Sequence, residues 1–155
     1  MTGVTGANAA PTVVRAAARQ AADGLPRGVV GDQAFHHDGA WVGFLRLEPG
    51  ASSPWHHHGE YDSYAHVSAG VLRWEYGEDG RESIEVRAGD VGHMPAWRVH
   101  RDVSDGDEDL VMILLRAGSG ELTVDVDGPD RQTTTSRSTS GREGHGNTER
   151  RTERQ

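Results

Sequence analysis

The sequence predicts an all-β barrel with a disordered N-terminus and a disordered C-terminal tail, and three observations carry that expectation. From Val29 onward, short apolar-alternating runs recur at intervals of roughly 8–12 residues with turn signals between them, the spacing of a sandwich or barrel. No long run at helical period interrupts them. The apolar residues then stop: from Arg131 there is no Leu, Ile, Val, Phe, Trp or Tyr.

Residues 1–27 read as an N-terminal segment, small and polar at first, that is partly disordered or supplies an edge strand. Within it Thr12-Val13-Val14 has strand composition. Ala16 to Ala22 has helix-forming composition with Asp23-Gly24 as a stop, but shows no amphipathic face. The barrel is expected over residues 28–130. Trp41 to Leu47 alternates, with Trp41, Gly43, Leu45 and Leu47 on one side, and Glu48-Pro49-Gly50 ends it. Tyr64 to Val67 and Val71 to Tyr76 follow. Gly77-Glu78-Asp79-Gly80 reads as a hairpin loop leading to Ser83 to Arg87. Val91 to Met94 stops at Pro95, Leu110 to Arg116 is the most apolar run, and Glu121 to Val126 is the last strand expected. Residues 131–155 are rich in Ser, Thr, Gly, Arg and Glu and bury too little apolar area to offset the entropy of ordering. Ending the chain at Asp130 is therefore expected to leave the melting temperature nearly unchanged; a large drop in a thermal melt would show that the tail packs.

The chain has 155 residues, the size of one domain, and a net charge of −8. That charge is unevenly spread: residues 28–130 hold 20 acidic and 7 basic residues, whereas both flanks are basic. So acidic a barrel repels phosphate backbones, which argues against nucleic acid as a partner. There is no cysteine, so thiolate and disulfide chemistry are excluded. No apolar run is long enough to span a bilayer, and the first ten residues lack the basic and apolar regions of a secretory signal. The expected location is the cytoplasm, with no membrane partner.

Chemistry concentrates in Pro54-Trp55-His56-His57-His58-Gly59. On an extended strand residues i and i+2 share a face, so His56 and His58 project together, about 6–7 Å apart along the backbone, and His57 projects away. Two such imidazoles converge on one ion when metal–nitrogen bonds are about 2.0–2.1 Å, and a third ligand must come from another strand. His100, after the Pro95-led turn, fits that role.

These residues lie in two longer patterns. Gly50-x5-His56-x-His58-x4-Ser63-x6-Gly70 resembles the first motif of the cupin superfamily, and Gly89-x5-Pro95-x-Trp97-x2-His100-x3-Ser104 resembles its second. The likeness covers about residues 28–127. It implies a double-stranded β-helix, or jelly-roll, barrel and one divalent transition metal on His56, His58 and His100. Two departures stand out: the family's glutamate ligand falls on Ser63, and its second-motif glycine falls on Trp97. A three-histidine set is similar to the iron sites of thiol and diketone dioxygenases in the superfamily. Glu60, Asp62, Ser63 and His93 are candidates for an additional ligand or a supporting role. His66 is expected to pack, and Arg98 or Arg101 could meet a carboxylate substrate.

Three neutral imidazoles leave open positions on the ion and keep its full charge, which suits binding an anionic group or activating dioxygen. Fe is the first expectation; Mn, Ni, Cu and Zn fit the same donors. The function implied is a mononuclear metal-dependent enzyme, an Fe(II)-type dioxygenase of a small organic molecule. The alternatives are a non-redox isomerase, cyclase or lyase, and a non-catalytic small-molecule-binding barrel. The family resemblance further implies a homodimer.

Overall fold

The computed structural model describes residues 9–129, so the expectations for residues 1–8 and 130–155 lie outside the described residues. Eleven strands form two antiparallel sheets among these residues. They are β1 (Gln20–Ala21), β2 (Val29–His37), β3 (Ala40–Leu47), β4 (His56–His57), β5 (Asp62–Ala69), β6 (Val71–Tyr76), β7 (Glu82–Arg87), β8 (Val91–Met94), β9 (His100–Ser104), β10 (Leu110–Ala117) and β11 (Val124–Asp125). One sheet has the order β1-β2-β3-β10-β5-β8 and the other β11-β4-β9-β6-β7, the two-sheet jelly roll that the strand spacing predicts.

The inward faces follow the period of two. On β5, Ser63, Ala65 and Val67 are buried while Tyr64, His66 and Ser68 are exposed. Along β10, Leu110, Met112, Leu114 and Arg116 are buried and the residues between them are not. The inner residues of both sheets meet in one core around Leu47, Val67, Leu72, Trp74, Leu110 and Met112. Between β5 and β6 the chain reverses at Gly70, whose φ is 75° and where an added Cβ would lie 2.7 Å from the Asp109 carbonyl oxygen. Only glycine meets both conditions there.

In the N-terminal segment the helical composition of Ala16 to Ala22 is not realised as a helix. Ala16–Ala18 forms a single 3-10 turn with no buried residue, and Gln20–Ala21 pairs with β2 as an edge strand. Helical composition without an apolar face gives a short helix nothing to bury, so the strand edge wins. Residues 12–14 are not a strand, and Val13 is exposed. The last expected strand shrinks to Val124–Asp125.

Trp97 occupies the left-handed region, with φ 64°, and is the described non-glycine residue that does so. The turn before His100 thus keeps the backbone of a glycine while carrying a tryptophan that is 62% exposed. A side chain in this region costs about 1–2 kcal/mol, partly offset because glycine loses more entropy on folding. Trp97→Gly should therefore stabilise the fold by roughly 0.5–1 kcal/mol, seen as a melting temperature raised by a few degrees. An unchanged or lower melting temperature would show that the indole's contact with His57, at 5.5 Å between ring centroids, outweighs the strain.

Candidate metal centre

Strands β4 and β9 run antiparallel, and their register sets His56 opposite His100. His58 lies one residue beyond β4 and turns to the same interior. The three rings are buried, with centroids 4.4 Å apart for His56 and His100, 4.9 Å for His56 and His58, and 5.0 Å for His58 and His100. One nitrogen from each lies within 4.8 Å of the other two. His57 is elsewhere: its Nδ1 accepts from the Gly59 N–H at 3.0 Å and its ring faces Trp97.

The other ring nitrogen of each interior histidine is tied to a carbonyl. Nδ1 of His56 lies 2.8 Å from Pro54 O, that of His58 2.9 Å from Leu122 O, and that of His100 2.8 Å from Arg98 O. A carbonyl oxygen only accepts, so each Nδ1 carries the proton and donates. Each Nε2 is left with its lone pair, the tautomer a metal ligand needs. Burial, then the charge of Arg116, drives the His58 imidazolium pKa down to about 2, and burial also lowers that of His100. Both shifts favour the neutral imidazole, whose Nε2 can donate to a cation.

A carboxylate that the sequence reading did not single out stands beside the three histidines. Asp102 follows His100 by two residues on β9 and shares its inward face. Its Oδ2 is 3.6 Å from His56 Nε2, and its Oδ1 is 4.0 Å from His100 Nε2. The indole N–H of Trp74 donates to Oδ1 at 2.7 Å and fixes the carboxylate. Burial disfavours its charge, but His56, His100, His58 and the Trp74 N–H hold its pKa below the usual carboxylate value. Three imidazole nitrogens gathered this closely fit a divalent transition metal, and the Asp102 carboxylate lies within 4.0 Å of two of them.

The other candidates go elsewhere. Glu60 is exposed and accepts from Ser119 Oγ at 2.8 Å. Asp62 lies on the outer face of β5, bonded to His93 Nε2 at 2.8 Å and to the Ala96 N–H at 3.3 Å. His93 is exposed and stacks on Tyr64, so it neither borders the triad nor joins the core. The ladder between β5 and β10 runs without a shift from Val67 to Asp62, so no bulge turns Asp62 inward. Ser63 does point inward, with a buried hydroxyl that has no hydrogen-bond partner among the described residues. His66 is exposed rather than packed, because it falls on the solvent side of the same alternation. Arg101 is engaged by Glu75, and exposed Arg98 lies over the Tyr76 ring.

The interior cation is Arg116, on β10 opposite Ser63 and Trp41 in register. Its guanidinium sits 4.7 Å from the Trp41 ring centroid. Nη1 donates to Leu122 O at 2.9 Å and to Thr123 Oγ1 at 3.3 Å. Burial lowers its pKa to about 10, against the opposing pull of Asp102 and Tyr61, so it stays charged at neutral pH. A cavity of about 540 Å³ has His56, Asp102 and Arg116 on its wall, with Trp41, Leu45 and Leu114 among its apolar lining. Ala21, Ala22, Leu25 and Pro26 of the N-terminal segment close one side of it.

Residues 43–116 match the family model described as a cupin domain. No curated protein matches the sequence. Among solved structures, KdgF from Halomonas sp. is similar at 18% identity and TM-score 0.59, over 70% of this chain and 96% of that one. An uncharacterized conserved protein with a double-stranded β-helix domain from Klebsiella pneumoniae subsp. pneumoniae is similar at 16% identity and TM-score 0.58, over 66% and 87%. An S161A mutant of Bacillus subtilis oxalate decarboxylase is similar at 23% identity and TM-score 0.57; the match covers 65% of this chain but 29% of the decarboxylase. At these identities the likeness is one of fold. Sequence match, strand order and shape together make the barrel of this chain a cupin domain.

Proposed function

We propose that the barrel holds one divalent transition metal on His56, His58 and His100, with Asp102 as a fourth, anionic donor, and that it is a metal-dependent enzyme acting on a small organic molecule. The convergence of three Nε2 lone pairs, each fixed by a carbonyl on the opposite ring nitrogen, is the observation that carries this reading. Fe(II) and dioxygen chemistry is the first choice. The ion would supply a redox-active Lewis acid with open positions toward the cavity. The chain's own residues orient the donors, exclude bulk water through the apolar lining, and present Arg116 to the ligand. The test is metal analysis of untagged protein, followed by oxygen uptake with a panel of small acids and phenols. Turnover without oxygen uptake would favour the isomerase, cyclase or lyase reading; binding without turnover would make the barrel a non-catalytic receptor.

We also propose a homodimer. The outer face of the six-stranded sheet, which polar residues normally cover, exposes Tyr64, Val91, Ile113 and Leu115 on neighbouring strands. Light scattering at micromolar concentration should give twice the chain mass, and Leu115→Lys should shift it to a monomer.

A further inference from the structure

Among the described residues the Arg116 guanidinium has no counter-ion in contact. Among the described residues no carboxylate lies within 4.0 Å of it, although Asp102 is near enough to influence it. Nη1 is used by Leu122 and Thr123, whereas Nε is buried without an acceptor among the described residues. A buried charge left unpaired is costly, and a fold retains one where something else completes it. Among the described residues it is also the one arginine on the cavity wall, which gives the cavity a single cationic end.

From this we infer that Arg116 anchors the carboxylate of a small amphipathic organic acid, the carboxylate seated at Arg116 beside the histidine triad and the apolar body along Trp41, Leu45 and Leu114. The volume, about 540 Å³, and the mostly apolar lining suit an aryl or alkyl monocarboxylate better than a highly polar diacid. A guanidinium fork matches a planar carboxylate, and the Trp41 ring against its face holds its plane. Three carboxylates on the same wall do not oppose this: Asp125 is exposed to solvent, and the other two are engaged. Asp32 lies 3.7 Å from Arg19, and Asp102 is turned to the imidazoles and Trp74. The ion pair exposes nothing new to water, since the guanidinium is already desolvated; the ligand meets a cost the fold has borne.

The inference rests on the reading of this cavity as a small-molecule site, but not on a bound metal, and the experiment separates the two. Acetate, benzoate and phenylacetate are titrated calorimetrically into chelator-treated protein, each beside its amide, with inorganic phosphate as a further arm. At least one acid should bind roughly ten- to a hundredfold tighter than its amide. Arg116→Leu should abolish that preference, and Arg101→Leu, outside the cavity, should keep it. If Arg116→Leu does not fold, saturation transfer between the bound acid and the Trp41 indole in the wild type places the ligand instead. Equal binding of acid and amide, a preference that survives Arg116→Leu, tighter binding of phosphate than of every acid, or no binding by any probe overturns the assignment. If the acids bind the metal-free protein as expected but metal analysis finds no ion, the metal reading fails and Arg116 stands.

Discussion

Replacing His56, His58 or His100 with alanine should take metal content from about one ion per chain to near zero, whereas His57→Ala should leave it unchanged. The three interior imidazoles have no other use for their Nε2 atoms that would hold them so close together, and two imidazoles retain a labile divalent ion poorly. His57 is spent on the Gly59 N–H and on Trp97. Asp102→Asn should weaken binding without eliminating it, because it removes charge and keeps shape. Trp74→Phe, which frees the carboxylate by deleting a 2.7 Å hydrogen bond, should cost about 10- to 100-fold in affinity. Ser63→Glu should tighten binding if the inner face of β5 approaches the ion as the resemblance implies. Elemental analysis of this series decides the register: loss in His57→Ala with retention in His56→Ala would place the strand one residue out.

The metal-free protein should lose stability steeply as the pH falls below neutrality. The His58 pKa is about 2 in the fold, against 6.5 for an unperturbed imidazole, with burial the main cause and Arg116 the next. Between those values the unfolded chain binds a proton that the folded chain refuses. Stability is therefore fully present above pH 6.5 and declines below it, by about 1.4 kcal/mol per pH unit for each such group. His100, also lowered by burial, adds to the slope in the same direction. Asp102, with its pKa depressed, contributes stability that is lost only on further acidification. Urea denaturation at pH 7, 6 and 5 should show a falling midpoint, and His58→Leu should flatten part of it. A level midpoint from pH 7 to 5 would mean the imidazoles find water when the ion is gone. Loading with metal should hold the midpoint up until acid displaces the ion.

Much of the architecture was legible because the barrel speaks in period two. β6 and β8 have the bounds their turn residues predict, and β3, β5, β7 and β10 extend those predicted by a residue or two. The triad was legible for the same reason, His56 and His58 by alternation and His100 by its turn. Asp102 obeyed the rule as well: His100 and Asp102 stand in the i, i+2 relation that was applied to His56 and His58, and extending it one step along β9 finds the carboxylate beside the triad. Arg116 was harder. It closes the most apolar run of the chain, where a terminal arginine reads as a solvated end, and only the pairing of β10 with β3 and β5 shows that the alternation carries it indoors. His66 and His93 erred the other way. Their outward orientation depends on strand phase, which histidine, at home in either environment, does not reveal. The N-terminal segment misled because its composition speaks for a helix while the edge of β2 offers it hydrogen bonds.

That segment has a consequence for access. Its hold on the barrel includes a two-residue ladder at the sheet edge, the Ala22 N–H to Gly31 carbonyl bond and the Arg19 contacts with Asp32 and Phe44. A guest touching both this wall and the barrel shares its binding energy with the docking of the wall, so occupancy and attachment rise together. Trypsin, whose sites here include Arg19 and Arg27, becomes a reporter of what the barrel contains: cleavage should slow as the cavity fills, in proportion to the fraction of chains carrying a guest.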